Sequence, residues 1–152
     1  MTYTPRGRYW DDFKEGETFT TAARTVTEGA VDLFAGLSGD FNPLHTDEEQ
    51  ARQTAMKGRI AHGMLVLSMA TGLANQLGLF EGTTLALLGM DKIKWTAPVR
   101  PGDTLHVELT IRQKKETSKP DRGVLVTEAT ARNQRGEAVM SAEWTTLMAR
   151  KA

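Results

Sequence analysis

Six consecutive residues, Asp40-Phe41-Asn42-Pro43-Leu44-His45, carry the side chains that acid–base chemistry needs. Asp40 and His45 face each other across a segment that Pro43 stiffens. A carboxylate and an imidazole held this way can both touch one water. The first accepts a proton and the second accepts or donates another. Asn42 can orient either group. A second feature is Ala61-His62-Gly63-Met64, at the start of an apolar run. A helix starting there presents unbonded N–H groups and the positive end of its dipole. Gly63 has no side chain, so a substrate oxygen can approach its N–H, as in an oxyanion site. Packing alone also accounts for both features. Asp40 can close a helix, Asn42-Pro43 can make a turn, His45 can fill space, and Gly63 can permit close packing. The residues by themselves leave these accounts open.

His45, Asp47 and His62 are the candidate metal ligands. Their spacing is neither H-E-x-x-H nor a Cys/His cluster, so no metal is expected. The chain has no cysteine, which excludes thiolate catalysis, disulfides and Cys-ligated zinc. Lys plus Arg is 19 and Asp plus Glu is 19. Zero net charge argues against nucleic acid or an anionic membrane as main partner. The apolar stretch Met64 to Ala74 is too short for a membrane span, and Met1 to Trp10 lacks the apolar core of a secretory signal. A cytoplasmic protein is the expectation. At 152 residues the chain suits one domain, 1–152.

The elements that must position these residues fall into a helical first half and a strand-like second half, which reads as α+β. After a turn at Phe13 to Gly16, a first strand is expected over Glu17 to Val26. Thr27 caps a helix to about Ser38, with Ala30, Val31, Phe34 and Leu37 at helical spacing and Gly39 at its end. Residues 40–45 read as a loop because Pro43 disfavours helix at Asn42. Thr46 and Glu49 form a capping box for a short helix over Asp47 to Thr54. His62 to about Leu77 is a central helix, apolar nearly all round and therefore buried. Strands follow at Thr83 to Trp95, around the alternating Leu105, Val107, Leu109 and Ile111, and at Val124 to Arg132 and Glu137 to Ala149. The last two are joined by a turn at Asn133 to Gly136. Lys114 to Arg122 reads as a charged, solvated loop, and His106 as a surface residue. Trp10, Trp95 and Trp144 read as core or interface aromatics. One helix against a long antiparallel sheet, with an edge strand left for a second copy, is the simplest packing.

Gly39 to Asp47, followed by Ala51, resembles the signature of MaoC-like (R)-specific enoyl-CoA hydratases. Ile60-Ala61-His62-Gly63-Met64-Leu65 resembles their second signature, in order and at the expected distance. Pro98-Val99 and Gly102-Asp103 extend the likeness over most of the chain. The resemblance implies a hot-dog fold, a long sheet wrapped round a central helix, usually dimeric. It implies reversible hydration of a trans-2-enoyl thioester to the (R)-3-hydroxyacyl thioester. Asp40 and His45 would be the dyad, and the Gly63 N–H would bind the thioester oxygen. Asn42 and His62 would support them. Some members carry a Ser near Thr71, and Thr71 would help order the site in the same way. No cofactor is implied beyond the coenzyme A or acyl carrier portion of the substrate. Its phosphates would meet a cation among Arg59, Lys92, Lys94 and Arg100. The implied partners are the acyl thioester and a second copy of the chain. The rivals are a hot-dog thioesterase, whose usual helix-borne acid is missing between Met64 and Leu77, and a non-catalytic acyl-binding subunit.

Overall fold

Alternation of apolar and polar side chains builds the centre of the sheet. Leu105, Val107, Leu109 and Ile111 are all buried on one face of β4 (Thr104–Glu116). The computed structural model describes residues 2–152. Beside β4 lies β5 (Arg122–Arg132), and beside β5 lies β6 (Ala138–Ala149), joined to it through the turn expected at Asn133 to Gly136. Among the described residues, β3 (Thr84–Trp95) pairs only with β6 and forms one edge of an entirely antiparallel sheet. The strands on either side of the charged loop run further than their sequence suggested. Lys114 to Glu116 remain paired with β5, so the solvated connection is short.

The first strand differs from expectation. Glu17 to Val26 breaks into β1 (Thr18–Thr20) and β2 (Arg24–Thr25), both paired with β4. At the break, the Thr21 hydroxyl accepts the Val107 N–H and donates to the Ala22 carbonyl. A side chain thus replaces a main-chain partner, and the chain bends.

α4 (Gly63–Gln76) lies across the sheet. Leu65, Val66, Met69, Ala70, Leu73 and Ala74 are buried in one core with Val107, Leu109, Ala129, Met140 and Trp144. Burying a side chain such as Leu73 contributes roughly 1.5–3 kcal/mol. The expectation that this helix is enclosed all round is not met within one chain. Met64, Ser68, Gly72 and Asn75 form an exposed stripe at helical spacing. Ahead of α4, Thr27 caps α1 (Glu28–Ser38) by accepting the Ala30 N–H, as expected. Gly39 ends α1 at φ 77°, a left-handed conformation that glycine adopts without strain.

The N-terminal segment straps two parts of the sheet together. Gly7 and Arg8 donate to the Glu81 and Leu79 carbonyls before β3. Trp10 is buried and donates to the Val124 carbonyl, with the Lys114 ammonium 4.1 Å from its ring. Asp11 pairs with Arg150 and accepts the Lys151 N–H, and Asp12 pairs with Lys151.

Asp103 ties the turn before β4 to the β5–β6 turn. Burial alone would push its carboxyl up. The Arg100 N–H, the Gln134 amide and the Arg135 guanidinium outweigh that and hold it below the ordinary carboxylate range. A carboxyl depressed in the folded state adds stability that is complete above its unfolded pKa of about 4 and is lost as pH falls through the folded value. Asp103→Asn is therefore expected to be less stable at neutral pH, with a shallower decline between about pH 5 and pH 2. Denaturant melts across that range would measure it.

Candidate active site

The segment after α1 is organised by its own short side chains. The Asp40 N–H donates to the Ser38 hydroxyl, and Asp40 Oδ1 accepts the Asn42 N–H at 3.2 Å. Asn42 then caps a single helical turn, α2 (Pro43–Thr46), by accepting the Leu44 N–H. Residues 40–45 are thus not all loop. Pro43 sits in the first turn of α2, where it loses no helical hydrogen bond. Asn42 orients Asp40 through its main chain while its amide oxygen is spent on the cap.

The capping box expected at Thr46 and Glu49 does not form. Thr46 donates its hydroxyl to the Phe41 and Asn42 carbonyls, and Asp47 caps α3 (Glu48–Arg52) by accepting the Gln50 N–H. Asp47 is therefore a helix cap, turned to its own backbone.

The extended residues before α4 reach back to this segment. Ile60 donates its N–H to the Leu44 carbonyl, and its own carbonyl lies 2.7 Å from His45 Nδ1. A carbonyl only accepts, so Nδ1 carries the proton and neutral His45 presents a bare Nε2. His62 Nε2 lies 2.9 Å from the Asp40 carbonyl and must donate to it. The His45 and His62 rings stack, with centroids 3.9 Å apart and planes inclined at 30°. His45 is 9% exposed, His62 is 2% exposed, and Asp40 faces solvent.

One ligand-type atom from each of Asp40, His45 and His62 lies within 4.8 Å of the others. Two atoms that share a water lie up to about 5.6 Å apart, twice a 2.8 Å hydrogen bond. A water bridge between Asp40 and His45 is thus within reach. A metal fits less well, because lone pairs of stacked rings run side by side and do not converge on one point.

Gly63 opens α4, so its N–H has no carbonyl of its own helix to bond. Its carbonyl accepts the Trp95 indole N–H at 2.8 Å, and a Cβ at this position would lie 2.9 Å from the indole ring. Close packing is thus a demonstrated reason for glycine here. Sequence reasoning read Trp95 as a core or interface aromatic but missed its contact with Gly63, since nothing local links the end of β3 to the start of α4. Thr71 is not brought to the dyad. It lies eight residues after Gly63, roughly 12 Å along the helix at 1.5 Å per residue. Its hydroxyl donates to the Ser68 carbonyl.

Thr71 instead lines a cavity of about 120 Å³ between α4 and the sheet, with Ala74, Phe80, Leu87, Met90 and Trp144 among its walls. Of the four candidate cations, Arg59 is committed to Glu28 and Glu48, Lys92 to Glu143, and Arg100 to the Met56 carbonyl. The Arg59 guanidinium and N–H hold the Glu48 carboxyl below its ordinary range. That clamp also fixes the segment that carries Ile60. Lys94 has no ion pair among the described residues. Of the three tryptophans, Trp10 and Trp144 are buried, while Trp95 is exposed.

A family model described as the MaoC like domain matches residues 12–133. The chain belongs to the MaoC-like family. The MaoC-like chain is 39% identical over 107 residues to an (R)-specific enoyl-CoA hydratase of Rhodospirillum rubrum, covering 68% of this chain and 69% of that protein. It is 32% identical over 139 residues to a mesaconyl-CoA hydratase of Cereibacter sphaeroides, covering 91% of this chain and 40% of that one. Among solved structures, the monoamine oxidase regulatory protein of Archaeoglobus fulgius superposes with a TM-score of 0.90 at 34% identity, covering 96% of this chain and 97% of that one. The fold is the hot-dog fold that the resemblance implied. This MaoC-like chain spans between 32% and 69% of the length of such curated relatives as the Klebsiella aerogenes protein MaoC and the Rhodospirillum hydratase. No helix among the described residues is long and apolar enough to cross a membrane.

Gly63→Ala is expected to cost about 1–3 kcal/mol, because the new methyl meets the indole. Trp95→Ala should remove most of that cost, so the two changes are strongly non-additive. Denaturant melts of both single variants and the double variant at one concentration would measure it.

Proposed function

We propose that this chain catalyses reversible hydration of a trans-2-enoyl thioester to the (R)-3-hydroxyacyl thioester. The observation that carries the reading is the placement of Asp40 and His45. His45 has its Nδ1–H occupied by Ile60, and a side-chain atom of each residue lies within 4.8 Å of the other. A water held between them gives one proton to the dyad as its oxygen bonds C3. The C2=C3 electron pair moves toward the thioester carbonyl. The Gly63 N–H, aided by the positive end of α4, stabilises the resulting enolate oxygen. The dyad then delivers a proton to C2, so the elements of one water have been added. The identity to an (R)-specific enoyl-CoA hydratase supports this reaction. The lack of any carboxylate on α4 disfavours attack at C1 and release of the thiol.

The cavity beside Thr71 receives the acyl tail. It lies roughly 12 Å along α4 from Gly63, so the far end of a longer chain reaches it and a crotonyl group does not. Lys94 is the cation left for the phosphates of the carrier. A second copy completes the sheet at β3. That edge strand carries the exposed Leu85, Leu87, Leu88 and Trp95, an apolar row that an isolated chain would leave open to aggregation.

Purified protein is expected to consume the enoyl absorbance of crotonyl-CoA and yield the (R) product with little free thiol. Asp40→Asn and His45→Gln should each lower turnover by at least about a hundredfold, with near-native melting. Their losses should be far from additive in the double variant. Near-native turnover by either single variant, stoichiometric thiol release or an (S) product would overturn the reading. Sedimentation at micromolar concentration is expected to show a species of twice 16.7 kDa. A monomer that still hydrates crotonyl-CoA would refute the dimer.

A further inference from the structure

Among the described residues, His62, Thr83 and Trp144 each enclose a side-chain polar atom without a partner, and of these only His62 touches the dyad. Its ring is 2% exposed, and its Nδ1 is enclosed without a hydrogen-bond partner among the described residues. An enclosed acceptor without a donor costs stability, whereas Phe or Leu would fill similar space at no such penalty. Packing alone therefore gives no reason for an imidazole here.

Two things distinguish the ring from an apolar filler. Its Nε2–H donates to the Asp40 main-chain carbonyl at 2.9 Å, and its face lies on the His45 ring with centroids 3.9 Å apart. Asp40 is thereby held at its main-chain carbonyl by His62, while its N–H is held by Ser38 and its carboxylate by the Asn42 N–H. Ile60 and His62 are alternate residues of one extended stretch. The first fixes His45 through its carbonyl and the second fixes Asp40.

We infer that His62 is the positioning residue of the dyad: its Nε2–H sets where Asp40 stands relative to His45. The inference rests on the hydratase reading above. His62 exchanges no proton with substrate in this role, so its loss acts on turnover and not on substrate binding. Misplacing a catalytic group by about 1 Å commonly costs around a hundredfold.

Three variants separate the bond from the volume. In His62→Gln the side-chain amide nitrogen takes the place of Nε2 and restores the donor. In His62→Asn the amide takes the place of Nδ1 and leaves the Asp40 carbonyl unbonded. His62→Phe keeps the ring and removes the donor. With crotonyl-CoA, Gln is expected to keep kcat within about fivefold of the native protein. Asn and Phe should lose about thirty- to a hundredfold in kcat, with KM changed less than about threefold. His62→Asn combined with His45→Gln should be hardly slower than His45→Gln alone, since both act through one unit. Thermal melts confirm folding. If Phe does not fold, the Gln and Asn pair decides. Native-like kcat in the Asn variant, equal loss in Gln and Asn, or full additivity with His45→Gln would overturn the inference while native hydration stands. A native protein that hydrates no enoyl thioester overturns the functional reading, and this inference with it.

Discussion

Burial of one face of α4 against β4, β5 and β6 is the constraint on which the polar parts of the molecule depend. The helix has no acid or base of its own and no side-chain cap at its start. Its position is set by apolar packing against Val107, Leu109, Ala129 and Met140. A helix fixed that way carries its first residue to a defined place. Gly63 is therefore located by residues that never approach the chemistry. The same packing leaves the opposite stripe of α4 and the outer edge of β3 uncovered.

From that anchor, the site is built by main-chain carbonyls more than by side chains. His45 is aimed by Ile60, Asp40 is steadied by His62, and Ala61 between them donates its N–H to the Val99 carbonyl after β3. The Arg59 clamp to Glu28 and Glu48 holds the same stretch from the other side. Dyad, connector and sheet are thus one bonded unit. A displacement of the connector reaches both catalytic candidates together.

Much of this was legible in the sequence for identifiable reasons. β4 announced itself because one face is buried and the other is not, which forces alternation. α4 announced itself by apolar length, and the Asp40 to His45 segment by unusual residue types close together. The apolar residues of α4 did not reveal which stripe stays open, because Met64 and Gly72 look as buried as Leu65. Thr46 and Asp47 are both good caps, and only the geometry of α2 chose between them. The bond from His62 to Asp40 spans 22 residues and ends on a carbonyl, which no letter of the sequence records. The packing of Trp95 on Gly63 spans 32 residues and was equally hidden. The break at Thr21 depends on a hydroxyl substituting for a peptide group, which a β-branched residue in a strand does not advertise.

The N-terminal strap has a topological consequence. Asp11 and Asp12 are bonded to Arg150 and Lys151, so the two ends of the fold stand side by side. The fold is in effect a closed ring with one nick. A ring of this kind can be reopened elsewhere without redrawing its contacts. The turn at Asn133 to Gly136, exposed from Gln134 to Gly136, is far from α4 in the order of elements and carries a hairpin's own bonds and its ties to Asp103 and Thr104. A circular permutant joined across the strap and opened there would keep every bond between the dyad and its connector. The order in which the chain is written is thus separable from the architecture that holds the site.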